Sequence, residues 1–102
     1  MTVKVMVVED ERIVALNLQQ RLLKLGYEVP VVAASCEQAL RGVLNASPDV
    51  VLMDIHIEGG VDGIETAARI CEQTRMPIIY LTAYSEDATL ERARATRPYG
   101  YL

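Results

Sequence analysis

Acidic side chains in this sequence collect where apolar runs end. Glu9, Asp10 and Glu11 follow Val5-Met6-Val7-Val8, Asp54 follows Val50-Val51-Leu52-Met53, and the hydroxyl of Thr82 follows the run from Pro77 to Leu81. If those runs are parallel strands of one sheet, the carboxylates and the hydroxyl meet on a single rim. Carboxylates held together repel one another and raise at least one pKa, so the cluster calls for a cation. An all-oxygen donor set, with no thiolate or multi-histidine group, favours Mg²⁺, which accepts one or two carboxylates and completes its shell with water and phosphate oxygens. Zinc is disfavoured. Once the charge is drawn off, Asp54 can attack a phosphorus atom and form an aspartyl phosphate, a known use of a carboxylate nucleophile. Thr82 can then hydrogen-bond a phosphoryl oxygen.

The elements that must position these groups are legible in the periodicity. The β-branched run from Val3 to Val8 suits a strand buried on both faces. From Glu11 to Leu25, Val14, Leu18, Leu22 and Leu25 recur at helical spacing, and Gly26 stands where a left-handed residue is cheapest. Val29 to Ala34 reads as a second strand, at a sheet edge because of Pro30. Ser35 and Gln38 form a capping box for a helix ending near Asn45. Val50 to Met53 has no polar alternation, as expected of a central parallel strand. Asp62 caps a third helix whose Ile64, Ala67, Ala68 and Cys71 share one face, which predicts a buried Cys71. Pro77 to Leu81 forms a fourth strand, Ser85 caps a fourth helix running toward Thr96, and Tyr99 to Leu102 forms a fifth strand. Strands alternating with helices imply a doubly wound α/β domain with a parallel sheet and right-handed crossovers. Open sheets of this kind bind ligands at the carboxyl ends of their strands, where the strand order reverses.

Composition narrows the function classes. The 102 residues suit one domain, and 51% hydrophobic with 24% charged residues suits a packed core. Ten Lys and Arg against fourteen Asp and Glu leave a net charge of −4, the wrong sign for a nucleic-acid footprint. The aromatic residues are all tyrosine, which leaves no stacking platform for bases. No apolar run approaches the roughly 20 residues of a spanning helix, and no signal-peptide pattern follows Met1, so a cytoplasmic setting without membrane contact is expected. Cys36 and Cys71 are too few and too far apart for a disulfide framework or a zinc cluster, and both are expected as buried thiols.

In order along the whole chain, the motifs V-V-E-D-E, V-L-M-D-I, D-G-I-E-T-A, L-T-A-Y and P-Y-G-Y-L resemble the receiver domain of two-component response regulators. The resemblance implies a flavodoxin-like, five-stranded sheet of order 2-1-3-4-5. It implies that Glu9 and Asp10 hold Mg²⁺ together with Asp54 and the backbone carbonyl of His56, and that Asp54 accepts a phosphoryl group from a sensor histidine kinase or phosphotransfer protein. Thr82 and Tyr101 are then the switch residues, and the surface of helix four and strand five is the output face, compatible with a homodimer through it. Any enzymatic character is limited to the domain's own phosphorylation and dephosphorylation.

Two departures from the family pattern are visible. The chain stops at Leu102, before the usual lysine and last helix, so a single receiver domain over residues 1–102, incomplete at its C-terminus, is expected. After Asp54 the segment Ile55-His56-Ile57-Glu58-Gly59-Gly60-Val61 has Glu58 where most members carry proline, and one residue more than usual. His56 is the only histidine; its side chain either lines the pocket mouth or is exposed while the carbonyl alone serves. The alternative to a phosphoacceptor is a pseudo-receiver that binds partners without phosphorylation. An aspartyl phosphatase or a nucleotide-binding oxidoreductase ranks last, since G-x-G-x-x-G and P-loop motifs are both lacking.

Overall fold

The computed structural model describes residues 2–55, 57 and 60–81, together with the backbone of 100–101. Its elements are β1 (Val5–Val8), α1 (Arg12–Lys24), β2 (Val32–Ala33), α2 (Cys36–Ala46), β3 (Val50–Asp54), α3 (Gly63–Gln73), β4 (Ile78–Leu81) and β5 (Gly100–Tyr101). The expected fourth helix lies outside the described residues. All strand pairs are parallel, in the order β2-β1-β3-β4-β5. The step from β1 to β2 runs one way along the sheet and the steps from β2 to β3 to β4 run the other. With right-handed crossovers, α1 therefore covers one face while α2 and α3 cover the other.

The second face holds the larger core. Met6, Val8, Val51, Met53, Ile78 and Tyr80 project from the strands to meet Ala39 and Val43 of α2 and Ile64, Ala67 and Ile70 of α3. Complete burial of the unbroken Val5–Val8 run bears out its reading as a two-faced strand. Expected edge strand β2 is indeed at the edge, but it is only two residues long. Earlier in that segment, one isolated bridge links Lys4 and Glu28.

Local chemistry sets the helix boundaries. Ser35 Oγ accepts from the Gln38 backbone N–H, and Gln38 Oε1 accepts from the Ala34 N–H, so the capping box reaches back one residue beyond the cap. Asp62 Oδ1 accepts from the Glu65 N–H at 2.9 Å. Gly26 has φ +94° after α1; the Gly26 N–H bonds to Leu23 and the Tyr27 N–H to Leu22, the paired closure of a Schellman motif. Cys36 is buried as expected, but Cys71 is exposed. Cys71 lies about two turns below Ile64 on the same side of α3. There, in the last turn of the helix, none of the described elements covers it.

One glycine ties a helix to the end of a central strand. The Gly63 N–H donates to Ile55 O at 2.6 Å, and a Cβ on Gly63 would stand 1.9 Å from the Asp54 carbonyl oxygen. Replacing glycine by alanine in a helix ordinarily gains up to about 1 kcal/mol. Here the clash is with backbone, which cannot swing aside, and overpacking typically costs about 1–3 kcal/mol or more. Gly63→Ala is therefore expected to destabilise the domain by at least about 1 kcal/mol in urea unfolding; a midpoint at or above wild type would refute the close approach.

Candidate phosphoacceptor and metal site

Register between the two central strands builds the site. Val8 pairs with Met53, so the next residues, Glu9 and Asp54, are lateral neighbours at the rim. Glu9 is anchored by its backbone, whose N–H donates to Ala33 O at 2.8 Å, and Asp10 follows in the turn into α1. Carboxylate oxygens of Glu9, Asp10 and Asp54 all lie within 4.8 Å of one another. The strand order reverses between β1 and β3, which is where an open α/β sheet forms its ligand crevice.

Electrostatics within the cluster are adverse. Glu9 is buried, at 6% exposure, whereas Asp10 and Asp54 are half-buried. Burial pushes the Glu9 carboxyl up to about 8, aided by a side-chain hydrogen bond to Asp54 and by the charges of Asp54 and Asp10. A hydrogen bond from the Glu11 backbone N–H to Glu9 Oε1, at 3.1 Å, acts in the opposite sense. Glu9 is therefore held well above the ordinary carboxylate range while the site is without a cation. Three converging oxygen donors fit a hard divalent cation such as Mg²⁺.

The residues named from sequence divide into two groups. Glu9, Asp10 and Asp54 are brought together. His56 and Thr82 lie outside the described residues. Tyr101 is placed only through its backbone, in β5 beside Tyr80; its side chain is not described. Leu81, the residue before Thr82, pairs beside Asp54. Sequence reasoning read Asp62-Gly63 as a cap and missed the contact of Gly63 with the Asp54 backbone. Asp-Gly signals a helix start, but nothing local reveals which distant backbone the glycine must admit.

A five-stranded parallel sheet of this order, with an acidic cluster at its reversal point, is the architecture of the CheY-like receiver fold. The chain matches the response regulator receiver domain over residues 5–102 and belongs to that family. It is 33% identical over 99 residues to the transcriptional regulatory protein PdtaR of Mycobacterium tuberculosis, covering 97% of this chain and 48% of that protein. Against the positive alginate biosynthesis regulatory protein of Pseudomonas aeruginosa it is 38% identical, covering 96% and 40%. The chain thus spans about half the length, or less, of these curated relatives. Among solved structures, the signal receiver domain of a modulated diguanylate cyclase from Desulfovibrio desulfuricans superposes with a TM-score of 0.93 at 39% identity, covering all of this chain and 81% of that one. The Vibrio cholerae chemotaxis protein CheY4 gives 0.90 at 26%, covering 100% and 86%. Among the described residues, no helix is long and apolar enough to cross a membrane.

The raised Glu9 pKa has a definite sign for stability. Between its ordinary value of 4.5 and about 8 the folded protein binds more protons than the unfolded chain, so stability falls as pH rises through that window. In metal-free buffer, chemical denaturation of the wild type is expected to show a lower midpoint at pH 8 than at pH 5.5, and Glu9→Gln is expected to flatten that dependence. A wild-type midpoint that rises over the same range would contradict the proton on Glu9.

Proposed function

We propose that this receiver domain is a phosphoacceptor, in which Asp54 takes a phosphoryl group from a sensor histidine kinase or phosphotransfer protein. The observation that carries the reading is the convergence of Glu9, Asp10 and Asp54 at the reversal point of a receiver sheet. Glu9, Asp10 and Asp54, with the backbone carbonyl of His56, would hold Mg²⁺, which would supply positive charge to the transferred phosphoryl group. Asp54 offers its carboxylate oxygen to phosphorus as the bond to the donor breaks. The contact of Gly63 with the Asp54 backbone fixes where that carboxylate starts, and Asp62 fixes Gly63 by capping α3. Thr82 hydrogen-bonds the phosphoryl group and Tyr101 follows it as the aromatic switch, altering the helix-four and strand-five surface. The domain acts on its own aspartate, in the cytoplasm, and is not an enzyme with a separate substrate.

Helix α1 supports a protein donor. Ala15 is buried and Leu18 and Leu22 are half-buried on the side toward the sheet, while Ile13, Leu16 and Leu23 occupy an arc of about 80° on nearly the opposite side. That outer stripe is 77%, 53% and 52% exposed and begins directly after the acidic cluster. The helix carries Arg12, Arg21 and Lys24 and no acidic residue. A donor that presents an acid-flanked apolar helix can lie along this stripe with its phosphoryl group at Asp54.

The test is intact-mass spectrometry after incubation with acetyl phosphate, with and without Mg²⁺. A single Mg²⁺-dependent phosphoryl adduct is expected for the wild type and none for Asp54→Asn. An unlabelled wild type would leave the phosphorylation-independent reading standing.

A further inference from the structure

Among the described residues two polar side chains are buried, Glu9 and Thr66. Glu9 belongs to the acidic cluster, whereas Thr66 stands at the end of the first turn of α3, wholly shielded from water. A valine would fill the same room and bury a methyl group where the hydroxyl now stands, without taking a polar group out of water. Packing alone therefore gives no reason for a threonine. The hydroxyl spends itself on one bond: Thr66 Oγ1 donates to Asp62 O at 2.8 Å, beside the backbone bond from the Thr66 N–H to the same oxygen at 3.0 Å.

A threonine hydroxyl bonded to the carbonyl four residues back is ordinary in helices. Thr74 does the same to Ile70 O, at 3.2 Å, at the other end of α3. What sets Thr66 apart is the peptide unit it grips. The Asp62 carbonyl shares a rigid plane with the Gly63 N–H, and that N–H donates to Ile55 O at 2.6 Å. Gly63 also lies so close to the Asp54 backbone that a Cβ on it would stand 1.9 Å from Asp54 O. The carbonyls of Asp54 and Ile55 are thus both held by Gly63, and the plane that carries the Gly63 N–H is held from behind by Thr66. Hydrogen bonds in such a chain polarise and strengthen one another.

Resting on the phosphoacceptor reading, we propose that Thr66 is a positioning residue for that reaction: its buried hydroxyl locks the peptide unit joining Asp62 and Gly63, which in turn holds the backbone that carries the Asp54 carboxylate. Thr66 takes no part in the bond changes, in which an Asp54 oxygen joins phosphorus while the donor's oxygen leaves with its electron pair. Its effect belongs to how well the nucleophile is aimed, and hence to the maximal rate and not to capture of the donor.

The experiment follows phosphorylation by intact mass across a range of acetyl phosphate concentrations at saturating Mg²⁺, on variants shown to be folded by urea unfolding. Misplacing a reacting group by about 1 Å costs on the order of a hundredfold. For the smaller slack left by a missing hydroxyl, Thr66→Val is expected to lower the maximal rate about three- to tenfold with the half-saturating acetyl phosphate unchanged. Thr66→Ser, which keeps the hydroxyl, is expected to recover most of that rate, and Thr74→Val, which removes the ordinary bond at the far end of α3, to match wild type. Thr66→Ala, which asks for no room, repeats the test should valine not fit. A second measurement needs no phosphoryl transfer: amide hydrogen exchange at Gly63 is expected to quicken in Thr66→Val relative to the amides of β1. The proposal is overturned by an unchanged maximal rate, by a loss that serine does not recover, by an equal loss in Thr74→Val, or by unchanged exchange at Gly63. If wild type is labelled and Thr66→Val matches it, only this inference fails; if wild type takes no phosphoryl group, the phosphoacceptor reading fails and this inference falls with it.

Discussion

Repulsion among three carboxylates is the constraint around which this domain is arranged. Glu9, Asp10 and Asp54 lie within 4.8 Å of one another in a partly buried site, a placement that no isolated peptide would adopt. What enforces it is the ladder between β1 and β3, whose register, once Val8 meets Met53, leaves Glu9 and Asp54 no choice but to be neighbours. Core burial on the α2 and α3 face holds that ladder in place, through side chains such as Met6, Val8, Val51 and Met53 that are fully buried. Hydrophobic burial thus bears the electrostatic cost of the site, which shows in the raised pKa of Glu9 while the site is without a cation.

Much of this arrangement could be read from residues alone, because the signals are local. Uninterrupted apolar runs locate the central strands, Ser35 and Asp62 announce their helices, Gly26 ends one, and the acids sit where those strands must end. Features that depend on distant partners were not legible. Cys71 shares its helical spacing with Ile64 yet is exposed, since spacing fixes a direction and not the presence of something to pack against. The second strand reads as six residues and pairs over two, because β-propensity describes fitness for a sheet and not the length of the neighbour. Gly63 looks like the second half of a turn signal, whereas its lack of a side chain serves the Asp54 carbonyl, nine positions earlier in the chain.

The site and the helix starts around it form one mechanical unit. Asp62 caps α3 through the Glu65 N–H, Gly63 hydrogen-bonds the backbone just beyond β3, and Asp54 ends that strand. A displacement of the Asp54 backbone must therefore move the first turn of α3 or break a 2.6 Å hydrogen bond. The start of α1 is joined to the site differently: it carries no side-chain cap, and the Glu11 backbone N–H donates to Glu9 Oε1 at 3.1 Å. The receiver site accordingly has a backbone-to-backbone tie at α3 and a backbone-to-carboxylate tie at α1.

That asymmetry would suit the proposed phosphoacceptor. Backbone contacts that hold the Asp54 carboxylate in place are concentrated at Gly63 and Asp62. On the other side of the site, along α1, Arg12, Ile13 and Leu16 are exposed. A helix optimised for its own stability would place an acid where Arg12 stands and polar residues where Ile13 and Leu16 stand, as α2 and α3 illustrate with Glu37 and Glu65. Departures from local stability of this kind concentrate where a surface is selected for contact with something else. Among the described helices the largest such exposure, Ile13 at 77%, lies on α1, which begins at the acidic cluster.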